Sequence, residues 1–160
     1  MQSQKDKWAI GNRKSAMTRV TAEQLQELLS HDTAFTKAYG FVVAEVSPGS
    51  CTLEVPHLPQ FERPGGIISG QVFMTAADVA MWLAIKTLRG IDDPSVTSHM
   101  QTQFLHSARE EGFTCKAVVL SLGRRTAFGV AECLSATGQL LAHHTLTYVT
   151  PRTSLGERSV

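Results

Sequence analysis

Residues 64–85 read PGGIISGQVFMTAADVAMWLAI, and this segment predicts the central element of the fold. From Val72 to Leu88 the chain contains no glycine or proline and is apolar on nearly all sides. Such a pattern is typical of a helix enclosed by other structure, rather than a surface helix with one apolar stripe. Asp78 is the only formally charged residue in the stretch. Because burying an unpaired carboxylate costs several kcal/mol, Asp78 is a candidate catalytic residue.

Shorter patterns precede this helix. Thr21 and Gln24 form a capping-box pattern, and apolar residues recur at helical spacing behind it, so an amphipathic helix is predicted over residues 21–35. The spacing of the apolar residues changes to every second position in FVVAEVS and SCTLEVP, on either side of Pro48-Gly49. That dipeptide favours a tight turn, and the segments predict a β-hairpin. Residues 56–69, rich in proline and glycine, predict a loop that leads into the long helix.

Four segments of strand length follow the helix: SVTSHMQTQFL, FTCKAVVLS, TAFGVAECL and QLLAHHTLTYV. The last three are connected too closely for helical crossovers, so they are predicted to be antiparallel neighbours. We therefore predict an α+β fold, in which a curved antiparallel sheet of five to six strands wraps around one long central helix. We expect a flexible arm over residues 1–20, a single domain over residues 21–151 and a polar tail over residues 152–160.

The bulk properties exclude several functional classes. At 160 residues and 42% hydrophobic, the chain suits one domain with a core, and its net charge of +1 is too small to hold a nucleic-acid backbone. Three scattered cysteines without a CxxC motif suit a reducing cytoplasm, and the two on later strands, Cys115 and Cys133, are predicted to be small core residues. Neither a signal peptide nor a membrane span is expected. Neighbouring His143 and His144 would point to opposite faces of a strand, so no metal site is expected.

Gly70 lies eight residues before Asp78, about 12 Å along a helix, so the two cannot touch within one chain. A helix N-terminus presents unsatisfied N–H groups and a partial positive charge, and glycine lets a ligand oxygen approach them. If two copies of the helix lie antiparallel across a dimer axis, Asp78 of one chain approaches Gly70 of the other. The pair then supplies a base or nucleophile and an oxyanion donor, as acyl transfer to water requires.

The order of elements and the run GGIISGQVFMTAADVAMWLA resemble the hotdog-fold thioesterases, particularly the PaaI-like acyl-CoA thioesterases, over roughly residues 35–151. The resemblance implies that Asp78 is the catalytic acid, that the Gly70 amide binds the thioester oxygen, and that Thr97 helps to hold the attacking water. It also implies substrate-binding roles for Arg63, Ser69, Gln71 and Arg124, the last in an LGRR turn similar to a family turn near the coenzyme A nucleotide. No cofactor is implied beyond coenzyme A as part of the substrate.

The resemblance further implies a small-molecule acyl-CoA as partner and a homodimer that pairs into a homotetramer as a dimer of dimers. The sequence departs from the family in two places: Ser69 and Gln71 replace its His and second Gly, and Arg63 stands where many relatives have Asn. The missing His leaves an alternative open. That alternative is a non-catalytic acyl-CoA-binding hotdog protein. A hotdog dehydratase would need a histidine acting with the acid, and none lies between His57 and His99.

Each site residue also has a structural interpretation. Asp78 would be a helix carboxylate bonded to a neighbouring hydroxyl such as that of Thr75, and Gly70 would be a plain helix-start glycine. Thr97 would be a β-branched residue packing on a strand, and Arg124 a solvated charge at a turn.

Overall fold

The protein is described by a computed structural model over residues 17–32 and 34–152. Its helices are α1 (Ala22–Glu27), α2 (Ala34–Lys37) and α3 (Gly70–Arg89), with a π-helical turn over Leu28–Asp32 and a 3₁₀ turn over Pro59–Phe61. Its strands are β1 (Val42–Ser47), β2 (Ser50–Val55), β3 (Glu62–Arg63), β4 (Ile67–Ile68), β5 (Val96–Phe104), β6 (Phe113–Leu122), β7 (Thr126–Leu134) and β8 (Leu140–Val149). Most of the predicted arm, residues 1–16, and of the predicted tail, residues 153–160, lies outside the described residues.

Six strands form one antiparallel sheet in the order β1-β2-β6-β7-β8-β5, and β3 pairs with β4 separately. The predicted hairpin is present as β1 and β2, with Gly49 at the turn at a φ of 76° that favours glycine. The strands β6, β7 and β8 are consecutive neighbours, as predicted. Strand β5 lies at the far edge beside β8, a placement that the sequence did not reveal.

Helix α3 lies in the concave face of this sheet and contacts β2, β6 and β7 most extensively. The approach is close because the helix presents fully buried alanines at positions 76, 77, 80 and 84. On the sheet side, a Cβ at Gly129 would lie 2.3 Å from the carbonyl oxygen of Val118 and 2.5 Å from Cε of Met81. The predicted hotdog architecture, a curved sheet around one long central helix, is therefore confirmed.

One stripe of α3 is not covered by the chain itself. Gln71, Met74, Thr75, Asp78 and Trp82 are all at least partly exposed, whereas most of the remaining helix is buried. Their spacing of three and four residues places them on a single face. The sequence thus predicted the burial of the helix correctly except on the face that carries Asp78.

The described N-terminal segment packs at the other end of α3. Val20 is buried, and the Arg19 amide donates to the carbonyl oxygen of Thr87 at 2.8 Å. The predicted capping box is present between Thr21 and Gln24 at the start of α1.

Across the described parts of the chain, none of the helices combines the length and the apolar character that crossing a membrane requires.

Candidate active site

The carboxylate of Asp78 is held by two hydroxyl groups from the sheet. Its Oδ1 accepts a hydrogen bond from Thr97 Oγ1 at 2.6 Å and another from the Tyr148 hydroxyl, also at 2.6 Å. Thr75, the neighbour that the structural interpretation proposed, donates instead to the carbonyl oxygen of Gln71 at 2.9 Å. None of the ion pairs among the described residues involves Asp78, so hydroxyl donors replace a cationic partner.

A β-bulge directs Thr97 toward the helix. Thr97 pairs with Tyr148, and Met100 pairs with Leu146, although the two β5 residues are three positions apart. Regular alternation would place residues three apart on opposite faces of the strand. The register shifts between Thr97 and His99, so one extra residue is inserted and both Thr97 and Met100 face inward with their partners.

Tyr148 is a site residue that the sequence reasoning missed. The residue is only 2% exposed, and its hydroxyl lies 2.7 Å from the carbonyl oxygen of Asp78 as well as 2.6 Å from Oδ1. Burial, and then the negative charge of Asp78, raise the pKa of Tyr148 well above its ordinary value, so the phenol stays protonated and donates. The available signal was a tyrosine on the inward side of a predicted strand, because a buried phenol requires a hydrogen-bond partner.

The second carboxylate oxygen of Asp78 remains accessible. No hydrogen bond to Oδ2 is formed by the described residues, and none of their buried side-chain oxygens lacks a partner, so Oδ2 reaches solvent. Asp78, Thr97 and Tyr148 border a cavity of about 260 Å³. The other residues that line this cavity are Phe35, Thr36, Val79, Trp82, Ser95 and Val96. Oδ2 of Asp78 thus faces a cavity that is lined largely by apolar groups.

Gly70 begins α3, as predicted, and Ser69 precedes it in an extended conformation without a side-chain cap bond. The amide N–H of Gly70 has no partner inside the helix, and no other described residue accepts from it. A Cβ at this position would lie 2.9 Å from the ring of Phe104, so the site is closely fitted to glycine. The residue lines a cavity of about 370 Å³ together with Arg63, Phe104 and His106.

The predicted substrate-binding residues fall into two groups. Arg63, Ser69 and Gln71 border one cavity of about 390 Å³ at the N-terminal end of α3. Arg124 lines a different cavity of about 500 Å³ beside Arg89, at the C-terminal end of the helix. Since a helix of 20 residues is about 28 Å long, the structure brings the first three together and keeps the fourth apart within one chain.

The three cysteines are buried, which confirms the prediction of core positions for Cys115 and Cys133. Burial raises the pKa of Cys51 to about 12. A hydrogen bond with Cys133, and then burial, raise the pKa of Cys115 well above its ordinary value. Protonated, enclosed thiols are poor nucleophiles.

The fully buried His144 lies 3.7 Å from Cys133 Sγ, and burial lowers its pKa to about 4, so this histidine is neutral.

Comparison with known proteins shows which family this chain is similar to. Residues 65–142 match the model of the thioesterase superfamily. An esterase-named protein of Saccharolobus solfataricus is 27% identical over 116 residues, which cover 72% of this chain and 82% of that protein. The match to the family model contains Gly70, Asp78 and Thr97.

Two solved structures show the same arrangement of helix and sheet. A mutant form of the phenylacetic acid degradation protein PaaI from Thermus thermophilus has a TM-score of 0.67 and 27% identity, covering 74% of this chain and all of that one. Thioesterase Superfamily Member 2 of zebra fish has a TM-score of 0.75 and 22% identity, covering 82% and 99% respectively. At that identity the second likeness concerns the fold alone.

Proposed function

We propose that this chain, which matches the model of the thioesterase superfamily over residues 65–142 and is 27% identical to the PaaI structure, is an acyl-CoA thioesterase, which hydrolyses a thioester to a free acid and coenzyme A. The observation that carries the proposal is the Asp78 carboxylate, with Oδ1 held by hydroxyl donors and Oδ2 open to a cavity. A carboxylate fixed in this way is suited to act on water or on a carbonyl carbon.

Thr97 is proposed to orient the water. Its hydroxyl has a single hydrogen, and that hydrogen is donated to Oδ1 of Asp78. Toward a water molecule the Thr97 oxygen can therefore only accept. A water that donates one hydrogen to Asp78 Oδ2 and the other to Thr97 Oγ1 keeps a lone pair free for the thioester carbon.

The chemistry then proceeds through a tetrahedral intermediate. The water oxygen bonds to the carbonyl carbon, and its proton passes to Asp78 Oδ2. The amide N–H of Gly70 donates to the oxygen that becomes negative. When the intermediate collapses, the C–S bond breaks and the proton held on Asp78 Oδ2 passes to the departing sulfur, so coenzyme A leaves as the thiol, and the free acid and the Asp78 carboxylate remain.

This assignment requires two chains in each site. Asp78 and Gly70 are separated by eight residues of continuous helix, about 12 Å, so they cannot serve one carbonyl within a single chain. The stripe of α3 that carries Asp78 is also the stripe that the chain leaves uncovered. An antiparallel second copy of α3 against this stripe would supply the missing amide, and two equivalent sites would form.

A screen of acyl-CoA substrates tests the function. The wild-type chain should release coenzyme A thiol, and Asp78→Asn should lower kcat by about 100- to 10,000-fold, as expected for loss of a general base. Glu45→Gln, which removes an exposed carboxylate from β1, provides the matched control and should retain wild-type turnover. Hydrolysis by the Asp78 variant at the wild-type rate would contradict the assignment.

A non-catalytic acyl-CoA-binding protein is the second candidate, and the residue that favours it is Ser69. It stands where the family has a histidine, and its side chain makes no capping bond to α3. Calorimetric binding of an acyl-CoA without thiol release over hours would favour this alternative.

A further inference from the structure

We propose that Tyr148 is a positioning residue for the hydrolysis: its hydroxyl, shared between Oδ1 and the main-chain carbonyl of Asp78, fixes the carboxylate so that Oδ2 is the oxygen that meets the water. The inference rests on the proposed function, because it assigns a role in that reaction.

The first argument is the geometry of the hydroxyl. Its oxygen lies 2.6 Å from Asp78 Oδ1 and 2.7 Å from the carbonyl oxygen of the same residue. A phenol has one hydrogen to donate, and both neighbouring atoms are acceptors, so the hydrogen is shared between them. The bond to the main-chain carbonyl fixes the phenol against α3, and the bond to Oδ1 then restricts rotation of the Asp78 side chain.

The second argument is the division of labour between the two carboxylate oxygens. Thr97 and Tyr148 both donate to Oδ1, from adjacent strands. Hydrogen bonds from two donors at 2.6 Å are the short bonds expected for hydroxyl groups on a carboxylate. These two hydrogen bonds stabilise negative charge on Oδ1, whereas no described residue forms a hydrogen bond to Oδ2. The oxygen that remains able to accept a proton is therefore Oδ2.

The third argument is burial. Tyr148 is 2% exposed and protrudes from the inner face of the sheet, so its ring is held by the core and the hydroxyl has little freedom. A rigid donor costs little conformational entropy when the reaction begins, as preorganised catalytic sites require. A phenylalanine would fill the same space, so packing alone does not explain the hydroxyl.

Tyr148→Phe is the direct test, because it removes only the hydroxyl. With circular dichroism and the urea midpoint showing a folded chain, kcat should fall about 10- to 100-fold, the range for a lost hydrogen bond to a charged group, while KM changes less than about twofold. A folded variant with wild-type kcat would overturn the inference.

A double-mutant cycle with Thr97→Val adds a second readout. Both variants remove a donor from the same oxygen, so the double variant should lose less activity than the product of the single losses. Losses that multiply would mean that the two hydroxyls act independently, and would contradict the shared positioning of Oδ1.

If Tyr148→Phe does not fold, fluorine NMR replaces it. In a Tyr39→Phe chain labelled with 3-fluorotyrosine, the remaining signal belongs to Tyr148. That signal should move on Asp78→Asn and stay in place on Glu45→Gln; an unmoved signal on Asp78→Asn would overturn the contact. The two proposals remain separable, because loss of thiol release in Asp78→Asn with full activity in Tyr148→Phe defeats only the positioning role.

Discussion

Thr97 and Tyr148 are direct cross-strand partners on β5 and β8, and each donates to the same oxygen of Asp78 at 2.6 Å. Directly paired residues of an antiparallel sheet share a face, so the two hydroxyls converge on α3 together. The acid thus depends on the pairing of the edge strand as well as on the helix. A chain in which β5 were detached from β8 would lose one of the two donors to Oδ1.

Gly70→Pro tests the oxyanion donor. Proline removes the amide N–H and is tolerated at the first position of a helix, and the extended Ser69 before it suits a proline. We expect kcat to fall by about 100-fold or more, as for other lost oxyanion donors. The matched control is Gly70→Ala, which keeps the N–H but adds the same Cβ beside the Phe104 ring. Equal losses in the two variants would assign the effect to crowding rather than to the amide.

Mixed dimers test whether two chains form each site. Coexpressed Asp78→Asn and Gly70→Pro chains are each inactive alone, but a heterodimer contains one site with both native residues. With equal expression and random pairing, activity should recover to about a quarter of the wild-type level. Tandem tags allow the heterodimer to be purified and its thiol release to be measured. If both residues acted within one chain, the mixture would be as inactive as its parts.

Acid should destabilise the fold through His144. Burial lowers the pKa of this histidine to about 4 in the folded chain. The stability that comes from keeping it neutral is therefore fully present above the pKa of the unfolded chain. It is lost as the pH falls from that value through the pKa of the folded chain. Against an unfolded value of about 6.5, the loss between pH 8 and pH 5 is roughly 2 kcal/mol. Urea unfolding at both pH values should show a smaller drop for His144→Gln than for the wild type. His99→Gln, which alters an exposed histidine on β5 that plays no part in the lowered pKa of His144, should retain the wild-type drop.

The long helix and the sheet were predictable because their periodicities are strong and their breaks are clear. Val72 to Leu88 carries no breaker, and Pro48-Gly49 marks the hairpin without ambiguity. Asp78 became a candidate from the sequence for a related reason, since a single charge in an apolar helix has few structural explanations. Patterns of this kind can be recognised in the sequence because they depend only on residues that are close along the chain.

Tyr148 could not be predicted as part of the site, because its partner lies 70 residues away in sequence. Its contact with Asp78 depends on where β8 lies in the sheet relative to α3, and strand order is not encoded in the alternation of a strand. The exposed stripe of α3 was missed for a similar reason. Composition shows that a helix is apolar, but not which of its faces the same chain will cover.

The bulge in β5 has a consequence for how this chain tolerates change. If the same residues paired with β8 without the bulge, the ladder would be more regular, and a more regular ladder is ordinarily more stable. Ser98 would then lie opposite Tyr148, and the Thr97 hydroxyl would turn to the outer surface, away from the acid. The extra residue thus interrupts the edge strand and aligns the threonine with the acid in one step, so a β5 sequence selected for stability alone is expected to lose that alignment.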